Sequence, residues 1–454
     1  MTPTAVSVPI SVRMANPRRP RQLEDSVVAS IEPGPPRLFA HLPVAGEWRS
    51  LDDHRSRYSL PPAPATRPNS RLSDLVERAG LRGRGGAGFP TARKLRAVAD
   101  GPRHRVVVAN ATEGEPASAK DAFLLTRQPH LVLDGALLAA HAIGAEEVIV
   151  CIDRTSRQAA AAMNRALAER VAGEPQSCAV RIALTPPRYV AGEETALVHW
   201  LNGGPAKPTL APPRPFERGV GKRPTLVQNV ETLAHLAQIA AFGDEWFRRA
   251  GTAEEPGTGL FTVTGAAGTT VLEAGFGTRG DVVLHAGRAY NGEPLQAVLV
   301  GGYFGTWVAA ADLEAMPVSR AGLAPLGASP GAGILVTLPT SACGLLETAR
   351  ILSWYAGESA GQCGPCAFGL PALAGTTAEL ARGRVRPDDV DRLQRWASEI
   401  EGRGACRHPD GAVRLLRSAL SVFAGDVHSH LRGRPCAGAY RPTLNVPAPS
   451  KEWR

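Results

Sequence analysis

A chain of 454 residues, 44% of them apolar, is long enough for roughly two to four domains with sizeable cores. Its 51 Lys and Arg outnumber 42 Asp and Glu, a formal charge of +9, but the excess is scattered arginine rather than a basic block interleaved with aromatics. That pattern argues against nucleic acid as a partner and suits phosphate-bearing cofactors or an acidic redox protein.

The longest apolar stretch, 130–152, carries Asp134, His141, Glu146 and Glu147, which a transmembrane span would not tolerate. The polar, Arg-rich opening has no secretory apolar segment, and the seven cysteines are an odd number. Both point to the reducing cytoplasm, where thiolate ligands survive.

In chain order, residues 1–70 are rich in Pro, Arg and Ser and read as an extended or disordered segment, with 59–65 as a linker. A helix over 71–79, capped by Ser73 or Asn69, closes at Gly80. The glycines at 83, 85, 86 and 88 then let backbone amides approach a phosphate or a flat ring, and a helix after Pro90 presents free N–H groups with Lys94 as a nearby point charge. Such a loop is weak evidence alone, because glycines serve tight turns as often.

A strand over 105–109 feeds the polar turn Asn110-Ala111-Thr112-Glu113-Gly114-Glu115-Pro116, at a strand end where ligands of open α/β sheets gather. A helix over 121–143, a strand over 147–152, a helix through Arg170 and a strand over 180–184 continue the βα alternation. Tyr189-Val190-Ala191-Gly192-Glu193-Glu194 opens another helix, and 223–229 reads as a loop capping a helix over 230–242. From 257 to 337 the period turns to two, with strands expected at 260–265, 281–285 and 297–301. Helical periodicity returns at 345–354, 370–381, 387–399 and 412–423, and the loops between these helices hold thiols.

Cys363 and Cys366 stand at C-x-x-C spacing, with Cys406 as a remote third. Zinc, a thioredoxin-like redox pair and an iron–sulfur centre all share that spacing. Cys151, Cys178 and Cys343 read as compact buried residues, and Cys436 lies in a Gly/Pro-rich tail.

Taken together, G-R-G-G-A-G-F-P-T-x-x-K from Gly83, N-A-x-E-x-E-P from Asn110, Y-x-x-G-E-E-T-A-L from Tyr189, P-T-x-V-x-N-V-E-T from Pro224 and the closing C-x-P-C-like run resemble the NADH-binding subunit of bacterial respiratory complex I and related NAD-linked hydrogenase and formate dehydrogenase subunits. The resemblance runs from about Arg71 to Phe423. It implies an α/β fold: a Rossmann-like FMN-binding domain over 71–256, a ubiquitin-like β-grasp (SLBB-type) domain over 257–337, a helical iron–sulfur domain over 338–430 and a tail over 431–454.

The implied chemistry carries electrons from NAD(P)H through FMN to an iron–sulfur cluster and on to a protein acceptor. That acceptor would be a ferredoxin or thioredoxin-like iron–sulfur subunit, or a membrane reductase to which the chain is peripheral. By the same resemblance, Gly83, Arg84, Gly85, Gly86, Ala87, Gly88, Phe89, Lys94, Asn110, Glu113, Tyr189, Gly192, Glu193 and Asn229 would cradle FMN and nucleotide. Glu115 and Glu194 would be the catalytic acids, and Cys363, Cys366 and Cys406 the metal ligands.

Departures matter as much. Ala360 stands where the family motif E-S-C-G-x-C-x-P-C has its first cysteine, leaving three thiolates for a [4Fe–4S] cube with one iron needing another ligand, or for a [3Fe–4S] centre. Ser359, Glu358, Cys343 and Cys436 are candidate substitutes. In the Pro-rich loop Ala211 replaces a lysine and Arg214 a phenylalanine, removing a cation and an adenine-stacking ring; Arg214 could stack by its guanidinium plane and Lys207 restore charge. Thr112, Gln228 and Gly221 replace an acid, an asparagine and a tryptophan. NAD(H) is therefore less secure than FMN, and two other readings stand beside the first: an FMN and iron–sulfur subunit with a non-nicotinamide donor, and a non-catalytic docking subunit.

Overall fold

The computed structural model describes residues 29–31, 37–40, 42, 49–58, 70–173 and 178–454. A four-stranded parallel sheet of β2 (Arg105–Ala111), β3 (Ala145–Asp153), β4 (Ala179–Thr185) and β5 (Thr225–Asn229) has the order β4-β3-β2-β5. A mixed six-stranded sheet contains β1 (Ala29–Ile31), β6 (Thr258–Gly265), β7 (Gly268–Gly275), β8 (Leu295–Val300), β9 (Thr306–Ala309) and β10 (Ile334–Pro339), in the order β1-β7-β6-β10-β8-β9. A helical bundle follows: α13 (Gly344–Glu358), α14 (Leu370–Ala381), α15 (Pro387–Ile400), α16 (His408–Val422) and α17 (Ala424–Leu431).

The parallel sheet is covered by α2 (Ser70–Ala79), α3 (Thr91–Ala99), α4 (Lys120–Arg127), α5 (Pro129–Ile143), α6 (Arg157–Gly173), α7 (Glu194–Leu201), α8 (Val230–Phe242) and α9 (Asp244–Arg248). Burial on both faces explains why β2 and β3 read as unbroken Val/Ile runs rather than alternating ones. Within the second sheet region lie α10 (Gly280–Ala286), α11 (Ala310–Ala315) and α12 (Arg320–Leu323).

Several elements differ from the sequence reading. The helix expected over 121–143 is two helices, because Pro129 cannot continue the first and Gln128 before it leaves the helical region at φ −134°, ψ 47°. The segment 223–229, read as a loop, contains β5 along β2. Residues 281–285, read as a strand from their paired valines, lie in helix α10; Val283 and Leu284 are buried while Val282 and His285 are exposed, a helical spacing. Strands β7, β9 and β10 and helices α9, α11, α12 and α17 have no counterpart in the sequence reading. Ser73 lies buried inside α2 and caps nothing, and Asn69 is outside the described residues.

Residues 1–70 are not wholly extended where described. Helix α1 (Leu51–Arg57) is capped by Ser50, and its His54 pairs with buried Asp134 on α5. Arg37 is buried, donating to the carbonyls of Phe247 at 2.7 Å and Trp246 at 2.6 Å. The N–H groups of Arg37, Leu38 and Phe39 converge on the Glu273 carboxylate at 3.0, 3.0 and 2.8 Å. The expected linker 59–65 lies outside the described residues.

Residues 432–454, beyond α17, run back along α13. Thr443 N–H donates to Glu347 Oε1 at 2.6 Å and Arg350 Nη1 to the Leu444 carbonyl at 2.8 Å. A cavity of about 670 Å³ lies between this strap, α13 and α14, lined among others by Arg350, Trp354 and Arg382. None of its lining residues belongs to the glycine loop or to the motifs of the parallel sheet. Among the described residues no helix is long and apolar enough to cross a membrane.

Candidate functional site

Because β5 joins β2 on the side opposite β3, the strand order reverses between β2 and β5, and ligands of such sheets bind at the strand ends of that switch point. Asn110 and Asn229 are register partners there. Asn110 Nδ2 donates to the Gly192 carbonyl at 2.8 Å, and the glycine loop arrives above them, with Gly85 so close that a Cβ would lie 3.4 Å from that of Asn229. Thus Gly85, Asn110, Gly192 and Asn229, far apart in sequence, meet at one place.

The loop backbone is divided. Gly83 N–H is taken by the Phe89 carbonyl at 2.9 Å and Arg84 N–H by Thr232 Oγ1 at 2.8 Å. No described hydrogen bond uses the N–H groups of Gly85, Gly86, Ala87 or Gly88. Gly86 at φ +111° and Gly88 at φ +61° adopt backbone that favours glycine. Unused amides in such a turn, followed by the N-terminus of α3, make an anion cradle, and a phosphate-bearing flavin fits it.

The polar side chains are more occupied than the sequence suggests. Glu113 is buried and binds the Ser118 hydroxyl and the N–H groups of Asp121 and Ala122, both at 3.1 Å, holding the start of α4. Glu193 caps α7 through Thr195 and Ala196 N–H, both at 3.0 Å, and Asn229 caps α8 through Glu231 N–H at 3.0 Å while donating to Asp121 at 2.7 Å. Glu115 accepts from Tyr303 N–H at 3.0 Å, joining the parallel-sheet region to the second sheet. The guanidinium of Arg84 turns inward over Phe276, 4.5 Å from the ring centre, and donates to the carbonyls of Thr258 at 3.0 Å and Arg82 at 3.2 Å, so it is used within the protein. Lys94 and Glu194 face each other at 2.9 Å across α3 and α7, and Phe89 is half exposed, with the Arg93 guanidinium carbon 5.7 Å from its ring centre.

Tyr189 connects this cradle to the helical bundle. Its N–H donates to Glu358 at 2.9 Å, its hydroxyl meets that of Tyr355 at 3.2 Å, and its ring packs edge-on against Trp354. Burial, then the nearby charge of Glu115, pushes the Tyr189 phenol well up.

At the far end of α13, Cys363 lies just before the wide helical turn Pro365–Gly369 that contains Cys366, and Cys406 lies just before α16. Burial, then the adjacent Cys363 and Cys406, pushes the Cys366 thiol up to about 12. Burial also raises Cys406, with Glu193 and Cys363 adding to it. Three neighbouring soft donors favour a compensating cation, and thiolate chemistry at this spacing fits an iron–sulfur core. Ala360, where a fourth thiol would be, is buried.

The candidate substitutes sort by position. Glu358 is fully buried and spent on Tyr189 N–H, on Ser450 N–H at 2.6 Å and on Arg188 at 3.4 Å. Cys343 caps the opposite end of α13, so roughly 24 Å of helix rise separates it from Ser359. There it joins His430 and Cys436 in a second group, whose donor atoms lie within 4.8 Å of one another and suit a single divalent ion such as zinc. His430 escapes sequence reasoning because it falls in an ordinary helical run. Ser359 alone of the four lies beside one of the three thiols, that of Cys366.

A glycine cradle at a sheet's switch point, fastened through Tyr189 and Arg188 to a bundle that presents three thiols, defines the class of flavin and iron–sulfur oxidoreductase subunits. Residues 76–238 match the Nuo51 FMN-binding domain family and residues 346–430 the NADH-ubiquinone oxidoreductase-F iron-sulfur binding region. An NADH-quinone oxidoreductase F-subunit of Rhizobium meliloti, the one numbered 2, is 33% identical, over 80% of this chain and 90% of its own length. The corresponding F-subunit of Streptomyces coelicolor is 32% identical, over 84% and 88%. The chain belongs to the NADH-quinone oxidoreductase F-subunit family. A crystal structure of an NAD+-reducing [NiFe]-hydrogenase in its H2-reduced state superposes with a TM-score of 0.72 at 33% identity, over 79% of this chain; the match spans 62% of the hydrogenase chain.

Proposed function

We propose that this chain is the electron-input subunit of a multi-subunit complex, taking electrons from NAD(P)H through FMN to an iron–sulfur cluster. The observation that carries the reading is the set of unused N–H groups at Gly85–Gly88 over the sheet's switch point, beside a Tyr189 that binds Glu358 at the end of α13 leading into the cysteine loop. FMN takes two electrons from a nicotinamide and releases them singly.

The chain's own part is to bind and orient. The backbone of Gly85–Gly88 would hold the flavin phosphate, with Gly83 and Arg84 bracing the loop through Phe89 and Thr232; Phe89 would offer a ring face to the nucleotide, and Asn110, Gly192 and Asn229 would form the floor. Lys94 and Glu194, paired at 2.9 Å, would supply charge beside the two ligands, and Glu115, which accepts from Tyr303 N–H, would meet the nicotinamide end. Cys363, Cys366 and Cys406 hold the cluster. These roles follow the boundaries 71–256, 257–337 and 338–430. The acceptor is a ferredoxin or thioredoxin-like iron–sulfur subunit, or a membrane reductase reached from the cytoplasmic side.

A second reading keeps FMN and replaces the nicotinamide by another donor. It is favoured by Ala211 and Arg214, both exposed, and by Lys207, which donates to the Ala360 carbonyl at 3.1 Å instead of supplying charge beside Arg214. Anaerobically purified protein, with flavin, iron and sulfide quantified and then titrated with NADH, separates the readings. Bleaching of the flavin by NADH supports the first, flavin that NADH leaves oxidised supports the second, and protein without flavin overturns both.

A further inference from the structure

The strap 432–454 ends its run along α13 against the cysteine loop. Ser450 N–H binds Glu358, the Trp453 carbonyl accepts from Ala206 N–H at 2.8 Å, and Arg154 meets Glu452 at 3.1 Å. The Trp453 indole lies under two cations: the Arg188 guanidinium carbon is 3.8 Å and the Lys207 Nζ 4.7 Å from the ring centre.

Those same cations hold the loop. Arg188 Nη2 donates to the carbonyls of Gly357 at 3.1 Å and Ser359 at 3.4 Å, and Lys207 Nζ to that of Ala360 at 3.1 Å. In a four-thiolate loop, the bond from iron to the residue at 360 would fix this segment. A methyl group cannot; with the Glu358 carboxylate anchoring the helix end through Tyr189, Ser450 and Arg188, residues 359 and 360 are held by contacts to their carbonyls.

We propose that Trp453 is a positioning residue for the cluster: by clamping Arg188 and Lys207 it holds the end of α13 and the start of the cysteine loop, residues 357–360, in place of the missing thiolate bond. The proposal rests on the reading that Cys363, Cys366 and Cys406 hold iron. A half-buried ring stacked on a buried guanidinium and beside an ammonium is a substantial contact, and losing it loosens the hold on both cations. The loop then opens more often, and iron without a thiolate at 360 is the first to leave.

The test uses the full chain, purified anaerobically, in five forms: unaltered, Trp453→Ala, Trp453→Phe, Ala360→Cys and the Ala360→Cys/Trp453→Ala double variant. The readouts are the rate at which a ferrous chelator withdraws iron, the three-iron paramagnetic signal after mild oxidation, and retained FMN. Trp453→Ala should release iron about tenfold faster and give a larger three-iron signal, with FMN unchanged. Trp453→Phe should behave as the unaltered chain. In the Ala360→Cys background the same loss of Trp453 should change the rate less than about twofold, since the thiolate then fixes the loop.

Equal acceleration in both backgrounds, or none in either, overturns the proposal while leaving the cluster reading intact. Absence of acid-labile sulfide from the unaltered protein overturns the cluster reading and the proposal with it.

Discussion

The flavin cradle and the cysteine loop bind by opposite means. In the cradle the contacts are backbone N–H groups, and most of the acids and amides of the motifs are engaged in capping helices or tying loops, as Glu113, Glu193 and Asn229 are. A substitution there changes the ligand contact only if it moves the backbone. In the cysteine loop the side chain is itself the ligand, so one change, Ala360, removes a bond outright. Recognition by backbone tolerates sequence drift, whereas ligation by side chain does not.

The largest expected effect tests the backbone half of this contrast. Gly86→Val places a β-branched residue at φ +111°, a region closed to it, and should yield protein with almost no FMN while Ala87→Ser, on the same loop, keeps a full complement. Stoichiometric flavin in Gly86→Val would show that the loop is not the cradle.

The side-chain half is tested by paired serine variants. Cys366→Ser should lose most of the iron, but Cys343→Ser should keep it, because Cys343 sits at the other end of α13. Iron loss in both would mean that the two thiol groups communicate.

His408 reports on the bundle that presents Cys406. Burial, assisted by nearby Arg188, holds its imidazole down to about 4 from the ordinary 6.5, while Nε2–H donates to the Tyr355 carbonyl at 3.0 Å. The unfolded chain therefore binds this proton more readily than the folded one. Stability is complete above about 6.5 and is lost as the pH falls toward 4, by about 3 kcal/mol for this group. His130, also held near 4 by burial, adds to the slope. Denaturant titrations between these pH values should show a shallower dependence in His408→Gln.

The smallest effect concerns the nucleotide loop. Ala211→Lys with Arg214→Phe should tighten NADH binding by roughly 1–3 kcal/mol if a cation and a stacking ring are regained. Flavin reduction by low micromolar NADH in the unaltered chain would show that their absence costs little.

The sequence by itself determined the order of parts: the alternation of strands and helices, the glycine loop with its following helix, and the C-x-x-C with its distant partner. Each of these depends on neighbours within a few residues, through period, φ restriction or loop chemistry. The sequence could not tell that 281–285 is a helix or that 223–229 contains a strand, because paired valines suit both periods and a short edge of five residues gains its hydrogen bonds only from β2. Nor could it tell which acids are helix caps, since a carboxylate in a loop has the same local signature whether it meets a ligand or an N–H group.

Only the tertiary structure placed Asn110 beside Asn229, set Cys343 with His430 and Cys436 away from the cysteine loop, and brought Trp453 over Arg188 and Lys207. Those meetings join residues distant in sequence. They are decided by the packing of whole elements, to which no local pattern of residues is sensitive.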